Sequence, residues 1–238
     1  PEFIYESAMA HDLQNKGVQV QRQAARDVLY KEIKVGEQHL DLFLDDTVVV
    51  ELKVAPELTR LHKAQAMSYL KVTDRQVGLL FNFGGSKPEF RRLYYRVRES
   101  QNDDQAVQRA VTQVPDDYLS PELTWDIIGA LFEVHCTLGP GFIHRIYANA
   151  CYRELGMRGL EVRAESDMQV IYRGTVVGAI KFGHLLVEGV AMVFPVTVVD
   201  VNDIRLNNLK DWMRSESVPL GILANFYAES LEPMVLRV

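Results

Sequence analysis

LDLFLDDTVVVELKV, residues 40–54, is two short apolar runs joined at Asp45-Asp46-Thr47. Apolar and β-branched residues on both sides of a polar turn predict a hairpin. Loop length then decides which side chains meet, because successive residues of a strand alternate faces. With a three-residue loop, Leu44 pairs with Val48 and the ladder continues through 43:49, 42:50 and 41:51. Asp41 then stands opposite Glu51 on one face. Lys53, two residues on, shares that face, and Leu52 points the other way into the core. A two-residue loop would separate the two acids.

A second stretch of the chain arbitrates. GVQVQRQAARDVLYKEIKVG (17–36) and GLEVRAESDMQVIYRGTVVG (159–178) share Gly, Tyr and Gly at a constant offset of 142. Tyr5 falls on Tyr147 at the same offset, whereas VGLLFNF (77–83) matches LGILANF (220–226) at 143, so one residue is inserted between. The chain reads as a tandem duplication. The hairpin loop of the second copy aligns as Val187-Glu188-Gly189. A glycine third in the loop suits the left-handed residue of a three-residue hairpin.

Each copy reads as helix, strands, helix, strand. In the first, the spacing predicts a helix over 4–15 ending near Gly17, two strands in 18–35, the hairpin over 38–54, an amphipathic helix over 57–72 and a buried strand at VGLLFNF. Residues 99–122, polar with Pro115 and Pro121, read as a linker between units at 1–98 and 123–238. The second copy opens with an extra helix, 123–141, closed by Gly139-Pro140-Gly141. The first copy has no counterpart in this sequence, so its first helix is expected to be lost or supplied from elsewhere.

Two carboxylates side by side repel unless something positive lies between them. A hard divalent cation, Mg2+ or Mn2+, suits oxygen ligands and keeps several waters. Glu-x-Lys alone is common, and a cross-strand cluster of surface charges is the competing reading. The next helix adds Gln65 and Tyr69, four apart on one face, with His62 a turn earlier; His62 reads as a surface histidine rather than a ligand.

Asp41, Glu51-Leu52-Lys53 and Gln65-x3-Tyr69 resemble the core of the PD-(D/E)XK nucleases, with the Q-x3-Y motif of their RecB-like branch. More narrowly, the chain resembles the GxxExxY family of that superfamily. Its opening stands in the second copy as IIGALFEVHCTLGPGFIHRIY (127–147), its middle as VVVELKV, and its later part as LHKAQAMSYLKVT (61–73) and VGLLFNFG (77–84). The first copy has Glu2 and Tyr5 of the name motif; the second has Gly141 and Tyr147, with His144 in place of the glutamate. The resemblance implies two tandem restriction-endonuclease-like α/β units, each a mixed central sheet flanked by helices, paired as a pseudo-dimer. It implies hydrolysis of DNA phosphodiester bonds by a metal-activated water, with RNA as the alternative substrate. It also implies a helix carboxylate joining Asp41 and Glu51 at the metal. Glu2 is the closer motif match; Glu6, one turn on, is the safer position physically. Lys53 would position the nucleophile or stabilise the transition state, Gln65 would orient Lys53 or a phosphate, and Tyr69 would pack the site or touch the backbone. Arg91, Arg92, Tyr95 and Arg96 form a basic, aromatic strand suited to a phosphate backbone and to stacking on bases; a solvated edge strand is the plainer reading.

At offset 142 the second copy puts Gly183, Val193 and Pro195 where the first has Asp41, Glu51 and Lys53, and Asn208 and Trp212 replace Gln65 and Tyr69 at 143. No acid remains, while the apolar framework of Val170, Tyr172, Leu185, Leu186, Leu223 and Phe226 persists. A fold kept without its chemistry is expected there. It also motivates the other functional class, an inactive nucleic-acid-binding or scaffold protein; a hydrolase of small phosphate esters is a weaker third.

Bulk properties bound these readings. With 238 residues, 47% of them hydrophobic and 24% charged, the chain can bury one large core or two ordinary ones. No apolar run approaches the ~20 residues of a membrane span, and no signal peptide is visible. Two cysteines, Cys136 and Cys151, form neither a disulfide framework nor a zinc pattern, so a reducing, cytoplasmic compartment is expected. The net charge of −6 argues against indiscriminate coating of nucleic acid. Further homo-oligomerisation is left open.

Overall fold

The computed structural model describes residues 1–96, 120–173 and 175–238. The chain divides into two compact units, Pro1–Gln101 with Pro140–Phe142, and Asn102–Gly139 with Ile143–Val238. The linker expected over 99–122 lies, up to residue 119, outside the described residues.

The first unit runs α1 (Glu2–Asn15), β1 (Val20–Tyr30), β2 (Ile33–Leu44), β3 (Val48–Lys53), α2 (Arg60–Thr73), β4 (Val77–Asn82) and β5 (Glu89–Tyr94). The strands form one sheet in sequence order. Only β3 and β4 are parallel, as the crossover through α2 requires; the other neighbours are antiparallel hairpins. Helix α2 starts at Thr59, whose hydroxyl takes the His62 N–H while the His62 ring takes the Thr59 N–H, and it stops at Asp74 in a left-handed conformation.

Apolar side chains alternate across this sheet into two layers. Phe43, Val49 and Leu80 pack with Ala66, Tyr69 and Leu70 of α2. Leu42, Val50 and Leu52 pack with Ala10 of α1. Leu40, Leu42, Leu52 and Leu70 are wholly buried, each contributing about 1.5–3 kcal/mol.

The second unit runs α3 (Pro121–Leu138), α4 (His144–Met157), β6 (Val162–Tyr172), β7 (Thr175–Val187), β8 (Ala191–Val196), α5 (Leu206–Ser215), β9 (Leu220–Asn225) and β10 (Met234–Arg237). Its sheet is again in sequence order, with β8 and β9 parallel. Helix α3 begins two residues before the expected 123, with Pro121 in its first turn, where a missing N–H costs nothing. It ends at Leu138, with Gly139 at φ 64, rather than running to 141.

The strand registers correct the sequence alignment. Val170↔Gly178 repeats Val28↔Gly36 at offset 142, but Leu185↔Val193 repeats Leu42↔Val50 at 143. The inserted residue therefore lies inside β7. The register slips between Glu165 and Asp167, where one residue of β6 faces Phe182 and Gly183, a bulge of two against one. The loop of the second hairpin is Glu188-Gly189-Val190, not Val187-Glu188-Gly189. Glu188 and Gly189 take the positive φ angles, 51 and 68, as Asp45 and Asp46 do in the first unit at 47 and 50. The glycine is thus second in the loop, not third.

Both units brace the end of their parallel strand pair in one way. The buried Asn82 amide donates to Ala55 O and its oxygen accepts from Ala55 N and Gly84 N. Asn225 does the same with Val198 and Tyr227. Asn82→Ala would leave the Ala55 N–H and C=O without partners. The expected loss is about 2–4 kcal/mol, read from the urea midpoint; a loss under about 0.5 kcal/mol would show that water replaces the brace.

Candidate active site

The hairpin of β2 and β3 has the expected three-residue loop, with Leu44↔Val48, Phe43↔Val49 and Leu42↔Val50. Backbone pairing stops there, short of the expected 41:51. The Leu52 N–H donates instead to Asp41 Oδ2 at 2.8 Å. The Asp41 carboxylate thus closes the ladder from its side chain and stays beside Glu51.

Glu51 is 1% exposed, and Lys53 Nζ sits on its Oε1. Its other oxygen, Oε2, is reached by no N–H or hydroxyl among the described residues, and its remaining polar neighbour is Asp41, which shares a hydrogen bond with Glu51 when one of the two carboxyls is protonated. Burial first, then the neighbouring Asp41, push the Glu51 carboxyl up to about 8. Burial also raises Asp41, against the Leu52 N–H and Lys53, which favour its charged form. Burial works to lower the Lys53 ammonium, but the Glu51 carboxylate outweighs it and the net shift is upward. In this arrangement Glu51 is the carboxyl that retains a proton beside Asp41.

Helix α1 brings two acids to the same end of the sheet, and they differ. Glu6 is buried with both oxygens engaged: Arg22 Nε donates to Oε1 at 2.8 Å and Gln23 Nε2 to Oε2 at 2.7 Å. Glu2 is exposed; its Oε1 accepts from Val54 N at 3.2 Å, and its charge reaches Lys53, His62 and Tyr69. Among the described residues no three His, Cys, Asp or Glu side chains stand close enough to hold an ion as they are. The donor set nevertheless fits a hard dication: two adjacent carboxyls, one with a buried oxygen that no N–H or hydroxyl of the described residues reaches.

From α2, Gln65 Nε2 donates to the Tyr69 hydroxyl at 2.7 Å. Burial, then the charge of Glu51, hold the Tyr69 phenol well above its ordinary range. His62 caps its own helix through Nδ1, and burial and Lys53 lower it. On β5, Arg91 and Arg92 are exposed, and Arg92 lies 4.7 Å over the Tyr94 ring. Tyr95 packs against the α2-side core, Arg96 is exposed, and Tyr94 offers its ring to solvent. Arg22 and Gln23 carry no sequence signal of their own. Their contact with the acids follows only from the β1–β2 register.

With the bulge located, the second unit's counterparts of Asp41, Glu51 and Lys53 are His184, Phe194 and Val196, in place of Gly183, Val193 and Pro195. His184 packs edge-on to Trp212 with ring centroids 4.1 Å apart, and Phe194 and Phe182 complete the cluster. Rings fill the space that acids occupy in the first unit.

Among known families, the profile of the PD-(D/E)XK nuclease superfamily matches residues 1–93 and 121–238. A solved structure named "Crystal structure of SSO0001" is 17% identical, with a TM-score of 0.33; the match covers 52% of this chain and 62% of that one. No curated protein matches. No helix among the described residues is long and apolar enough to cross a membrane.

Proposed function

Because this chain belongs to the PD-(D/E)XK nuclease superfamily, we propose that its first unit hydrolyses DNA phosphodiester bonds with Mg2+ or Mn2+ held by Asp41, Glu51 and Glu2. The observation that carries this is the buried Glu51 carboxyl beside Asp41, whose Oε2 no N–H or hydroxyl of the described residues reaches. Two acids side by side oppose each other's ionisation unless a cation shares the site, and hydrocarbon side chains would fill the same strand positions without that cost. Glu2 is preferred to Glu6 because both Glu6 oxygens are already engaged.

A bound dication would acidify a water and neutralise charge on the phosphoryl oxygens. The protein's own groups do the rest. Lys53, anchored on Glu51, offers an ammonium to the oxygen that gains charge. The Gln65–Tyr69 pair closes the apolar side of the site. Arg92, stacked on the exposed Tyr94, offers charge to a phosphate and a ring to a base.

We read the chain as a tandem duplication of the GxxExxY type whose second copy is without chemistry. Shared strand order, the Asn82 and Asn225 braces, and stacked rings at 4.5 Å in both units, Tyr5–Phe83 and Tyr147–Phe226, support it. The test is incubation of the chain with single- and double-stranded DNA and with RNA, in Mn2+, in Mg2+ and in EDTA. Metal-dependent cleavage of DNA is expected. Nucleic-acid binding with no turnover of any substrate would replace this reading with that of an inactive binding protein.

A further inference from the structure

Gln23 sits in the middle of β1 with φ 47, a left-handed conformation that a non-glycine residue avoids in a strand. It would pair with Asp41. The flanking pairs Arg22↔Leu42 and Ala24↔Leu40 keep one register, yet the pair between them is missing. The consequence shows across the sheet. Leu40 packs on the α2 side and Leu42 on the α1 side, although residues two apart normally share a face. Strand β2 therefore turns over at Asp41.

The side chain explains what this turn achieves. Gln23 Nε2 donates to Glu6 Oε2 at 2.7 Å and reaches Asp41 Oδ1 at 3.3 Å. Glu6 is itself fixed: Arg22 Nε holds its other oxygen, and Arg22 Nη2 donates to Ser7 Oγ at 2.8 Å. The amide thus runs from a buried, neutralised carboxylate to the one that faces Glu51. The second unit distorts its strand pair at the same level with an inserted residue, and there Glu165 faces His184 in place of an acid. The first takes up the distortion at Gln23 instead.

We infer that Gln23 is a positioning residue that aims Asp41 at the metal ion, with Glu6 and Arg22 as its anchor rather than as ligands. This rests on the reading of Asp41 and Glu51 as ligands. Backbone strain kept beside a reactive site and stabilised by its neighbours is the physical pattern, and an outer partner of a metal ligand sets the ligand's orientation.

The test uses Gln23→Gly, Gln23→Leu and Glu51→Ala in the full chain, with Mn2+ titrated calorimetrically and the thermal midpoint read without metal. Both substitutions remove the Gln23 hydrogen bond to Glu6, but Gln23→Gly also relieves the left-handed residue, so its metal-free midpoint should lie above that of Gln23→Leu while Mn2+ binding weakens about tenfold. Gln23→Leu should weaken Mn2+ to the same degree with no rise in midpoint. In both, kcat should fall with KM for DNA unchanged. Mn2+ affinity within about twofold of the parent in both variants would overturn the positioning role, as would a midpoint for Gln23→Gly at or below that of Gln23→Leu. Glu51→Ala separates the two levels. If it still binds Mn2+ like the parent, the site reading itself fails; if it does not bind and the Gln23 variants do, only the role of Gln23 falls.

Discussion

Glu51→Gln is expected to abolish calorimetric Mn2+ binding and to lower cleavage by at least about a thousandfold, while making the metal-free protein more stable at alkaline pH. The two effects share one cause. In the folded, metal-free chain the Glu51 carboxyl titrates at about 8 against an ordinary value of 4.5. Between those values the unfolded chain has lost a proton that the folded chain keeps. The unfolded state binds fewer protons there, so stability falls as pH rises through the window and levels off above about 8. Burial of the group makes this a matter of a few kcal/mol. Glutamine keeps the shape and cannot ionise, so its urea midpoint should be nearly flat from pH 5 to pH 8.5 where the parent's declines. A dication reverses the parent's penalty by taking the proton's place, so Mn2+ should bind the parent more tightly as pH rises towards 8. Parallel midpoint curves for parent and variant would show that Glu51 is solvated after all.

The second large effect is at Lys53. Its ammonium rests on Glu51 Oε1 with only 12% of the side chain exposed. Lys53→Met keeps most of the stem and removes the charge. A cation that competes with the metal for one carboxylate oxygen is then gone, so Mn2+ should bind as tightly as in the parent or more so. Cleavage should nevertheless fall by about a hundred- to a thousandfold, the cost of removing a charge aimed at a developing anion. This split between affinity and rate distinguishes a group that acts in the reaction from one that merely balances charge. Weaker Mn2+ binding with an unchanged rate on the loaded enzyme would assign Lys53 to charge balance alone.

How far the sequence carried these conclusions differs from element to element. The hairpin was legible because a period of two leaves little choice once the loop length is known, and Leu44↔Val48 follows. The convergence of Asp41, Glu51 and Lys53 on one face came with it. The bulge in β7 was not legible. One extra residue between Gly178 and Leu220 fits many places by residue type, and only hydrogen-bond registers locate it at Phe182-Gly183. The choice between Glu2 and Glu6 stayed open for a related reason. One helical turn separates them, and what distinguishes them is competition from Arg22 and Gln23 on a different strand. Gln23 itself gave no warning, since glutamine is not a residue that announces positive φ.

The ring cluster around Trp212 has an optical consequence. Both tryptophans of the chain, Trp125 and Trp212, belong to the second unit, and the first has only tyrosine and phenylalanine. Indole emission therefore watches the second unit alone, whereas tyrosines occur in both. Denaturation followed by tryptophan emission, beside far-ultraviolet circular dichroism of the whole chain, resolves the second unit from the first without any label. A shift in the tryptophan-detected unfolding midpoint when Mn2+ is added would have to be transmitted from one half to the other, and its size would report their energetic coupling.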